Sequence, residues 1–447
     1  MGLYRAYDIR GIYGEELTDD VAVKIGKAFA STVPGRLAVG YDARVSSPSL
    51  SRSMIEGLTS AGADVVDVGM VPTPVLYFTI HKLGLDGGVM VTGSHNPPEY
   101  NGFKLCRGTM TLYGPEIQDI GAKADKGDFM EGDGKVESYD IIPEYLDFLR
   151  DRIRLKRKLK VVVDSANGTA GPVAPQLFRS LGCEVVELYS DPDGNFPNHP
   201  ADPTVDENMS DLIRMVKSKK ADIGVGYDGD SDRAGFVTED GSIIRGDQAI
   251  ILFSRDILKK YPGSPIIFEV KCSQAVSEDV EANGGRPVMY RTGHSFIKKK
   301  IKEEGAKLAG EMSGHFFFAD DYPGYDDGIY ASARMVQIIS NSPGSFGDIV
   351  STIPKYYSTP EIRVDCPDEL KFDIVGEITE HFKGSYDTIT VDGVRVEFGD
   401  GWGLVRASNT QPAVILRFEA KTPARLEEIM SLFREVVDSY PELRGKL

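Results

Sequence analysis

Short apolar runs separated by helix-like stretches dominate the first part of the chain. Leu37–Tyr41, Ala63–Val68 and Gly88–Val91 each have the length and composition of a buried strand. A helix-like stretch, Ser49–Ser60, separates the first two runs. This alternation of strand and helix is the pattern of an α/β domain.

The same order of three apolar runs returns twice further along the chain. The six later runs are Leu159–Val163, Cys183–Leu188, Ala221–Tyr227, Pro265–Phe268, Arg286–Tyr290 and Ala306–Gly310. In every copy the third run ends in a loop of unusual composition, namely Thr92–Asn96, Asp228–Arg233 and Glu311–His315. Apolar strands also recur by chance in α/β chains, but the matching position of the loops favours a true repeat. We expect three tandem related α/β domains with mixed sheets around a central cleft, each contributing one loop.

The final stretch of the chain departs from this pattern. From about Ser358 we predict strand segments and two helices, in the order Glu361–Asp365, Phe372–Phe382, Thr388–Val396, Ala413–Ala420 and Arg425–Ser439. This order predicts a smaller α+β domain, in which a turn over Trp402–Pro412 is the fourth loop of interest. The predicted domains are residues 1–150, 151–252, 253–356 and 357–447.

Composition is typical of a soluble globular protein. Of 447 residues 41% are apolar and 27% charged, and the formal net charge is −17. This acidic balance argues against nucleic acid or an anionic membrane as partner, because both need a basic surface. No apolar run approaches a membrane span, and the four cysteines (106, 183, 272 and 366) stand singly. We therefore expect a cytoplasmic protein with reduced cysteines, which must cluster its positive charge to hold an anionic substrate.

A serine beside a histidine follows the buried strand of the first copy. The sequence from Thr92 reads Thr-Gly-Ser-His-Asn-Pro-Pro, and its two prolines exclude helix and strand at the next positions. Ser94 and His95 therefore lie on a stiffened loop at the carboxyl end of a strand, where open α/β sheets place ligands. The Ser94 hydroxyl is a candidate nucleophile. The alternative is a Ser/Asn-rich turn that only caps the next element.

Three carboxylates alternate with small residues in the loop of the second copy. Asp228, Asp230 and Asp232 repel one another unless a cation lies among them, and oxygen-only ligands indicate a hard divalent ion, Mg²⁺ first. With Glu239 at its twelfth place the loop imitates a calcium-binding EF-hand. That interpretation fails because Arg233 takes the sixth place, where Gly is needed, and because the flanks resemble strands. A solvated acidic turn is the remaining alternative.

The other loops carry groups that suit a sugar phosphate. The sequence Arg-Ala-Ser-Asn-Thr-Gln-Pro, residues 406–412, offers a guanidinium with hydroxyl, amide and backbone N–H donors, although an ordinary Asn-Thr turn has the same residues. Glu311 and Ser313 are typical of groups that bind vicinal hydroxyls, whereas His315 has the alternative of a core histidine. Further positive charge comes from Lys271, from Arg291–Ser295 and from the opening Tyr4–Gly11, whose alternative is a frayed terminus.

Four motifs, taken together and in this order, resemble those of the α-D-phosphohexomutase superfamily. They are Thr-Gly-Ser-His-Asn-Pro, Asp-Gly-Asp-Ser-Asp-Arg, Gly-Glu-Met-Ser-Gly-His and Arg-Ala-Ser-Asn-Thr-Gln-Pro. The resemblance covers nearly the whole chain and is strongest to the phosphomannomutase/phosphoglucomutase branch, which the Met of the third motif fits better than it fits glucosamine mutases. It implies an isomerase that moves phosphate between O6 and O1 of mannose or glucose, with a hexose 1,6-bisphosphate as intermediate and activator.

The resemblance also implies roles for individual residues. Ser94 carries the phosphoryl group, and Mg²⁺ is held by a phosphoserine oxygen with Asp228, Asp230 and Asp232. The residues implied near the transferring group are Arg10, His95, Lys104 and Arg233, with Tyr7 close by. The implied substrate-binding residues are Glu311 and Ser313 for the sugar ring, Lys271 and His294 for positioning, and Arg406, Ser408, Asn409 and Thr410 for the phosphate that does not react.

Three other functions stay open. A sugar-phosphate hydrolase would use the same phosphoserine and metal but would release inorganic phosphate. A non-catalytic sugar-phosphate binder would need neither Ser94 nor the three aspartates, and glucosamine phosphate is the alternative mutase substrate. Because water must be excluded from a phosphoserine, we also expect the fourth domain to close over the substrate about a hinge near Ile353–Glu361.

Overall fold

The computed structural model describes residues 3–5, 7–409 and 411–447. The strands of its first unit are β1 (Ile9–Ile12), β2 (Arg36–Tyr41), β3 (Asp64–Met70), β4 (Gly87–Val91), β5 (Tyr100–Arg107), β6 (Met110–Thr111) and β7 (Val136–Ser138). The helices are α1 (Asp19–Ala30), α2 (Ser47–Ser60), α3 (Thr73–Leu83), α4 (Pro115–Lys126) and α5 (Ile142–Arg150). The strand order is β1-β5-β4-β2-β3-β7, with β6 paired to β5. β2 lies parallel to β3 and β4, and β5 runs antiparallel to β4.

The second unit repeats this arrangement in a smaller sheet. Its strands are β8 (Lys160–Asp164), β9 (Glu184–Leu188), β10 (Ile223–Tyr227), β11 (Ala234–Thr238) and β12 (Ile243–Ile244). Its helices are α6 (Ala174–Ser180), a 3₁₀ helix (Asp206–Met209) and α7 (Ser210–Lys219). The strand order is β12-β11-β10-β8-β9, in which β8 is parallel to its neighbours and β11 is antiparallel to β10.

The third unit has four strands and five helices. The strands are β13 (Pro265–Glu269), β14 (Arg286–Tyr290), β15 (Leu308–Gly310) and β16 (Phe316–Phe318). The helices are α8 (Gly246–Lys260), α9 (Gln274–Ala282), α10 (His294–Glu304), α11 (Gly328–Asn341) and the short α12 (Phe346–Val350). The strand order is β14-β13-β15-β16. The boundary predicted between residues 252 and 253 falls inside α8, which packs against α9, α11 and β15. We therefore propose that the third domain begins at α8.

The three units share one topology, which explains where their loops lie. In each unit three parallel strands are followed across the sheet by one antiparallel strand. The orders are β3-β2-β4-β5 in the first unit, β9-β8-β10-β11 in the second and β14-β13-β15-β16 in the third. In every unit the unusual loop joins the third strand to the antiparallel fourth. It therefore lies at the carboxyl edge of the parallel strands, where α/β sheets bind ligands. The prediction of three related α/β units is confirmed.

The fourth unit is an antiparallel sheet covered by two helices. Its strands are β17 (Tyr357–Ser358), β18 (Ile362–Asp365), β19 (Asp387–Ile389), β20 (Val394–Glu397), β21 (Gly401–Ala407) and β22 (Ala413–Ala420), and its helices are α13 (Asp368–Lys383) and α14 (Pro423–Val437). Two details differ from prediction. The single strand predicted over Thr388–Val396 is a β19–β20 hairpin, and most of the loop predicted over Trp402–Pro412 is strand β21. β21 is buried on both faces, so it lacks the polar alternation that marks a half-exposed strand.

Apolar packing joins the first three units and leaves the fourth largely separate. One cluster of buried side chains runs through all three α/β units and includes Phe78, Phe178 and Phe253. The fourth unit has a core of its own. A small cluster, in which Trp402 packs against Val270, connects it to the third unit.

Two expectations from composition concern the cysteines and the membrane. All four cysteines are buried, and none forms a disulfide. Along the described part of the chain, no helix combines the length and apolar character needed to cross a bilayer.

Candidate active site

A cavity of about 490 Å³ lies where the four units meet. Each unit contributes one loop to its wall, represented by Ser94, Arg233, Glu311 and Arg406. The other predicted site residues in the lining are Tyr7, Arg10, His95, Lys104, Lys271, His294, Ser313, Ser408 and Asn409. Thr410, which was also predicted, lies outside the described residues. The three aspartates are buried behind the lining. We call the surroundings of Ser94 the serine side of the cavity and those of Arg406 the turn side.

Ser94 has an unusual backbone conformation directly after β4. Its φ is +50°, in the left-handed region that residues other than glycine seldom occupy. Its amide donates to Thr92 Oγ1 at 2.8 Å, and its hydroxyl donates to Asp228 Oδ2 at 3.1 Å and lies 3.2 Å from His95 Nδ1. Only 3% of Ser94 is exposed. The end of β4 thus turns sharply enough to bring one hydroxyl to the aspartate loop.

The aspartate loop joins β10 to β11. Asp228, Asp230 and Asp232 are completely buried, and one carboxylate oxygen from each lies within 4.8 Å of the others. The Oδ1 atoms of Asp230 and Asp232 have no hydrogen-bond partner among the described residues. Buried carboxylates without partners are destabilising, and this all-oxygen set fits a hard divalent cation. The flanking strands rule out an EF-hand, and the burial rules out a solvated turn.

Lys104 neutralises part of this loop from the neighbouring unit. It lies on β5, and its ammonium is 2.6 Å from Asp230 Oδ2 and 2.5 Å from Asp232 Oδ2. Burial alone would raise the pKa of Asp230, but Lys104 and a hydrogen bond from Thr73 hold it below its ordinary value. Burial and the two neighbouring carboxylates raise the pKa of Asp228 well above its ordinary value. Asp228, which faces Ser94, has no contact with Lys104 of the kind that Asp230 has, and its nearest positive partner is Arg233, with Nε 3.7 Å from Asp228 Oδ2.

Two arginines and two histidines line the serine side. Arg233 donates from Nε to His315 Nε2 at 2.9 Å. Burial, followed by Arg233 and Arg10, lowers the pKa of His95 well below its ordinary value. His95 is therefore a neutral imidazole at pH 7, and the positive charge comes from the arginines. Because His315 Nε2 accepts a hydrogen bond, the His315 proton resides on Nδ1.

A buried carboxylate lies behind His315. Oδ2 of Asp326 is 3.2 Å from His315 Nδ1 and 3.7 Å from His294 Nδ1, and Oδ1 is 2.9 Å from Lys298 Nζ. The two imidazoles are stacked with their centroids 5.7 Å apart. His315 is buried, as a core histidine would be, but it also lines the cavity. Asp326 therefore places a negative charge directly behind a histidine that a ligand can reach.

The third unit offers an acceptor and a donor to a ligand. Glu311 accepts a hydrogen bond from the Gly293 amide at 2.7 Å, and burial raises the pKa of Glu311. Lys271 follows β13, and its ammonium lies 3.0 Å from Glu361 Oε2 and 3.8 Å from Glu269 Oε1. The Glu311 carboxylate and the Lys271 ammonium therefore reach the same cavity from the ends of the neighbouring strands β15 and β13.

The end of β21, the turn after it and Asp392 beside them make polar contacts to two other units. Arg406 donates from Nε to Asp392 Oδ2 at 3.0 Å, and the Thr292 amide donates to the same oxygen at 3.0 Å. Asn409 donates to the Tyr7 hydroxyl at 2.7 Å, and that hydroxyl donates to the Thr292 carbonyl at 3.1 Å. The first, third and fourth units therefore meet at the turn side through hydrogen bonds.

Comparison with known proteins identifies the family. Models of phosphoglucomutase/phosphomannomutase match the chain in four consecutive parts: α/β/α domain I over residues 1–131, domain II over 143–241, domain III over 245–357 and the C-terminal domain over 361–436. This chain belongs to the phosphoglucomutase/phosphomannomutase family.

Individual members of the phosphoglucomutase/phosphomannomutase family match over nearly their whole length. The chain is 48% identical to the phosphomannomutase/phosphoglucomutase of Pseudomonas aeruginosa, over 98% of this chain and 96% of that relative. It is 45% identical to a phosphoglucomutase of Neisseria gonorrhoeae, over 99% of this chain and 98% of that relative. A solved structure of a family protein from Burkholderia thailandensis superposes with a TM-score of 0.93 at 43% identity, covering 98% of this chain and 97% of that one. The family and fold inferred from the four motifs are confirmed.

Several residues that support this phosphohexomutase site were not found from the sequence. Asp326, Glu361 and Asp392 each pair with a predicted site residue, namely His294, Lys271 and Arg406 respectively. The partner of Glu361, Lys271, stands 90 positions away in another unit. No local motif marks a carboxylate whose partner arrives only through tertiary packing, so no signal in the sequence pointed to these three.

Proposed function

We propose that this protein interconverts hexose 6-phosphates and hexose 1-phosphates of mannose or glucose through a phosphorylated Ser94. Relatives at 45% and 48% identity support a mutase of hexose phosphates over the alternatives. One observation carries the role of Ser94: its hydroxyl lies 3.1 Å from Asp228 and lines a cavity that also reaches Arg406 and Asn409. A cavity with donors for an anion on two sides suits a sugar with phosphate at either end.

We propose Asp228, Asp230 and Asp232 as the protein ligands of Mg²⁺, together with an oxygen of phosphorylated Ser94. The buried Oδ1 atoms of Asp230 and Asp232, which lack hydrogen-bond partners among the described residues, support this assignment. When bound, the ion supplies positive charge that stabilises the phosphoryl group in transfer. Lys104 holds two of the carboxylates in place from the other side.

The remaining charge on the serine side comes from the chain itself. Phosphoryl transfer depends on positioning and charge neutralisation more than on covalent help. We assign the neutralising role to Arg10, Lys104 and Arg233, which all line the cavity. His95, neutral and 3.2 Å from the Ser94 hydroxyl, orients that hydroxyl.

Proton transfer is assigned to His315. His315 Nε2, which accepts a hydrogen bond from Arg233, can accept the proton of a sugar hydroxyl when Arg233 turns to the phosphate, and the Asp326 carboxylate, 3.2 Å from Nδ1, then balances the added charge. The same nitrogen returns the proton when phosphate goes back to Ser94. This cycling of one proton leaves the histidine unchanged over a full turnover.

The proposed cycle has two transfers. In the first, the P–O bond to Ser94 breaks and a P–O bond to the free sugar hydroxyl forms, giving a hexose 1,6-bisphosphate. After this intermediate turns over in the cavity, its other phosphate bonds to Ser94, and the sugar oxygen that is released takes up the proton. Hexose 1,6-bisphosphate from solution would phosphorylate an unmodified Ser94 and so activate the enzyme.

Substrate binding is assigned to the third and fourth units. The proposed groups are Glu311 and Ser313 for ring hydroxyls, Lys271 and His294 for positioning, and Arg406, Ser408, Asn409 and Thr410 for the phosphate that does not react. The polar contacts of the turn side support closure of the fourth unit over the sugar, with the hinge at residues 353–361.

Intact-mass measurement and a coupled assay test the proposed function. Incubation with glucose 1,6-bisphosphate should add one phosphoryl group to the wild type and none to Ser94→Ala. Glucose 1-phosphate and mannose 1-phosphate should be converted to the 6-phosphates without net release of inorganic phosphate. Stoichiometric phosphate release would identify a hydrolase, binding without turnover would identify a binder, and preference for glucosamine 1-phosphate would change the substrate.

A further inference from the structure

A buried arginine, Arg44, lies under the loop that carries Ser94. It follows β2, and only 1% of it is exposed. Its two terminal nitrogens donate to four backbone carbonyls of the loop, those of Ser94 (2.9 Å), Asn96 (2.6 Å), Pro97 (2.5 Å) and Tyr100 (2.9 Å). One guanidinium therefore ties together both ends of the loop that presents the Ser94 hydroxyl.

Asp42 completes the support from the same strand end. Its Oδ2 accepts hydrogen bonds from Arg44 Nε at 3.1 Å, from the Gly93 amide at 3.0 Å and from Thr92 Oγ1 at 2.8 Å. Thr92 Oγ1 in turn accepts from the Ser94 amide at 2.8 Å. The backbone just before Ser94 is thus held by Asp42, and the backbone after it is held by Arg44.

The approach of Arg44 explains why glycine precedes Ser94. A Cβ on Gly93 would lie 2.4 Å from Arg44 Nε and 2.5 Å from its Cζ. A side chain at position 93 would therefore push the guanidinium away from the loop. The sequence requirement for glycine here comes from close packing, since Gly93 is not among the residues with positive φ.

The second unit covers the other face of the guanidinium. The Phe196 ring lies 5.2 Å from Arg44 Cζ, and Phe196 adopts a φ of +47°, a conformation disfavoured for an aromatic residue. A Cβ on Gly194 would lie 2.6 Å from Arg44 Cα. The segment Gly194–Phe196 is therefore pressed against Arg44, in the same unit that supplies Asp228.

We propose that Arg44 is the positioning residue for the phosphate-carrying serine, holding Ser94 in its left-handed conformation against Asp228. This role rests on the proposed function of Ser94. Arginine suits the task because its planar fork offers five fixed donors, whereas lysine offers three rotatable donors around one nitrogen. A lysine at this position keeps the charge but leaves part of the set of buried carbonyls without a donor. Arg44 itself touches no reacting atom in this scheme.

The test compares Arg44→Lys with Arg334→Lys. Arg334 is a matched control because it is also a buried arginine, paired with Asp320 and Asp256 away from the cavity. We expect both variants to lose thermal stability. A displacement of about 1 Å at a reacting group lowers rates by about 100-fold, so Arg44→Lys should lower kcat by about that factor with KM within threefold. Arg334→Lys should keep kcat within threefold of the wild type.

Hydrogen exchange separates this inference from the proposed function. In Arg44→Lys the amides of residues 93–101 should exchange at least tenfold faster than in the wild type, whereas Arg334→Lys should leave them unchanged. This readout does not require mutase activity, so a wild type without mutase activity would overturn the proposed function alone. A folded Arg44→Lys with wild-type kcat, or with unchanged exchange in this segment, would overturn the positioning role.

A second variant decides the matter if Arg44→Lys does not fold. Phe196→Ala removes the cover from the guanidinium but leaves its hydrogen bonds. We expect kcat to fall at least fivefold, with KM unchanged and exchange of residues 93–101 increased. Unchanged kcat and exchange in a folded Phe196→Ala would overturn the proposal, because loosening the guanidinium would then have no effect on the loop that it is proposed to hold.

Discussion

The two sides of the cavity are built on different principles. On the serine side, Ser94, Lys104 and the aspartates are buried, and the units that carry them share one continuous apolar cluster. On the turn side, the fourth unit has a core of its own and touches the others through hydrogen bonds, ion pairs and the small Trp402 contact. One side is fixed by the core, and the other is held by contacts that water can replace.

This difference matches the two tasks in the proposed cycle. Transfer of a phosphoryl group needs charges and hydroxyl held in place before the substrate arrives. Entry, reorientation and release of a sugar phosphate need a wall that can move away. The fourth unit has its own apolar core, apart from the cluster that runs through the other three units, so it can separate without disturbing the core behind Ser94.

Removal of the serine hydroxyl should give the largest effect. We expect Ser94→Ala to abolish turnover, because the Ser94 hydroxyl is the group proposed to carry the phosphate. The loss of one hydrogen-bonded hydroxyl should change the free energy of unfolding by only about 1 kcal/mol. A coupled mutase assay and thermal unfolding check the two parts, and activity surviving in this variant would end the phosphoserine scheme.

Metal removal should give the next largest effect, again on the serine side. EDTA should lower kcat by more than about 100-fold, because several kcal/mol of charge stabilisation are lost, and added Mg²⁺ should restore it. Binding of glucose 6-phosphate, measured by calorimetry, should change far less, since the turn side carries no aspartate triad. Activity indifferent to EDTA would remove the metal role of Asp228, Asp230 and Asp232.

On the turn side, a substitution should affect binding more than chemistry. Arg406→Ala should weaken sugar-phosphate binding by about 1.5–3 kcal/mol, the value of a charge-assisted hydrogen bond, while phosphorylation of Ser94 remains possible. Arg425→Ala, which removes a surface arginine of α14 paired with Asp400 and Glu428, serves as the control. Equal dissociation constants for the two variants would reassign the Arg406 turn to a structural role.

The smallest effect is expected from the ion pair between Glu361 and Lys271. Burial would raise the pKa of Glu361, but Lys271 and Arg363 lower it to about 2, from an ordinary 4.5. Since the folded pKa is the lower one, the contribution is present above pH 4.5 and is lost as the pH falls towards 2. Glu361→Gln should therefore lower stability by about 1 kcal/mol at neutral pH.

Urea unfolding at several pH values measures this linkage. The difference between wild type and Glu361→Gln should shrink between pH 5 and pH 3. Protease cleavage within residues 353–361 should also be faster in the variant and slower in both proteins when substrate is bound. A stability difference that stays constant with pH would contradict the stabilising role of the ion pair between Glu361 and Lys271. Cleavage at the same rate with and without ligand would contradict closure about residues 353–361.

The sequence predicted the family and the layout of the four loops because each loop combines unusual residue types over a short span. Thr92–Asn96 and Asp228–Arg233 could be interpreted without knowledge of their neighbours. The triplicated topology could also be predicted, since three parallel strands and their helices leave a periodic apolar pattern. The roles of individual site residues remain predictions, and the structure adds to them the distances and partners of each side chain.

What the sequence did not predict depends on residues that meet only in the folded chain. Arg44 is an unremarkable residue after a strand until the loop at Ser94 folds over it. Asp326 and Asp392 gain their partners from other strands or other units. β21 was missed because burial on both faces removes its polar alternation. The proposed start of the third domain at α8 rests on the packing of this helix against the unit that follows it.

Trp402 is the only tryptophan in the chain, and it lies where the third and fourth units touch. Its indole packs under the Arg395 guanidinium, 3.8 Å from Cζ to the ring centre, and donates to Glu419. The wavelength of its fluorescence emission should therefore depend on whether those two units are in contact or apart. The proposed opening and closing can thus be tested in real time during turnover without attaching a dye.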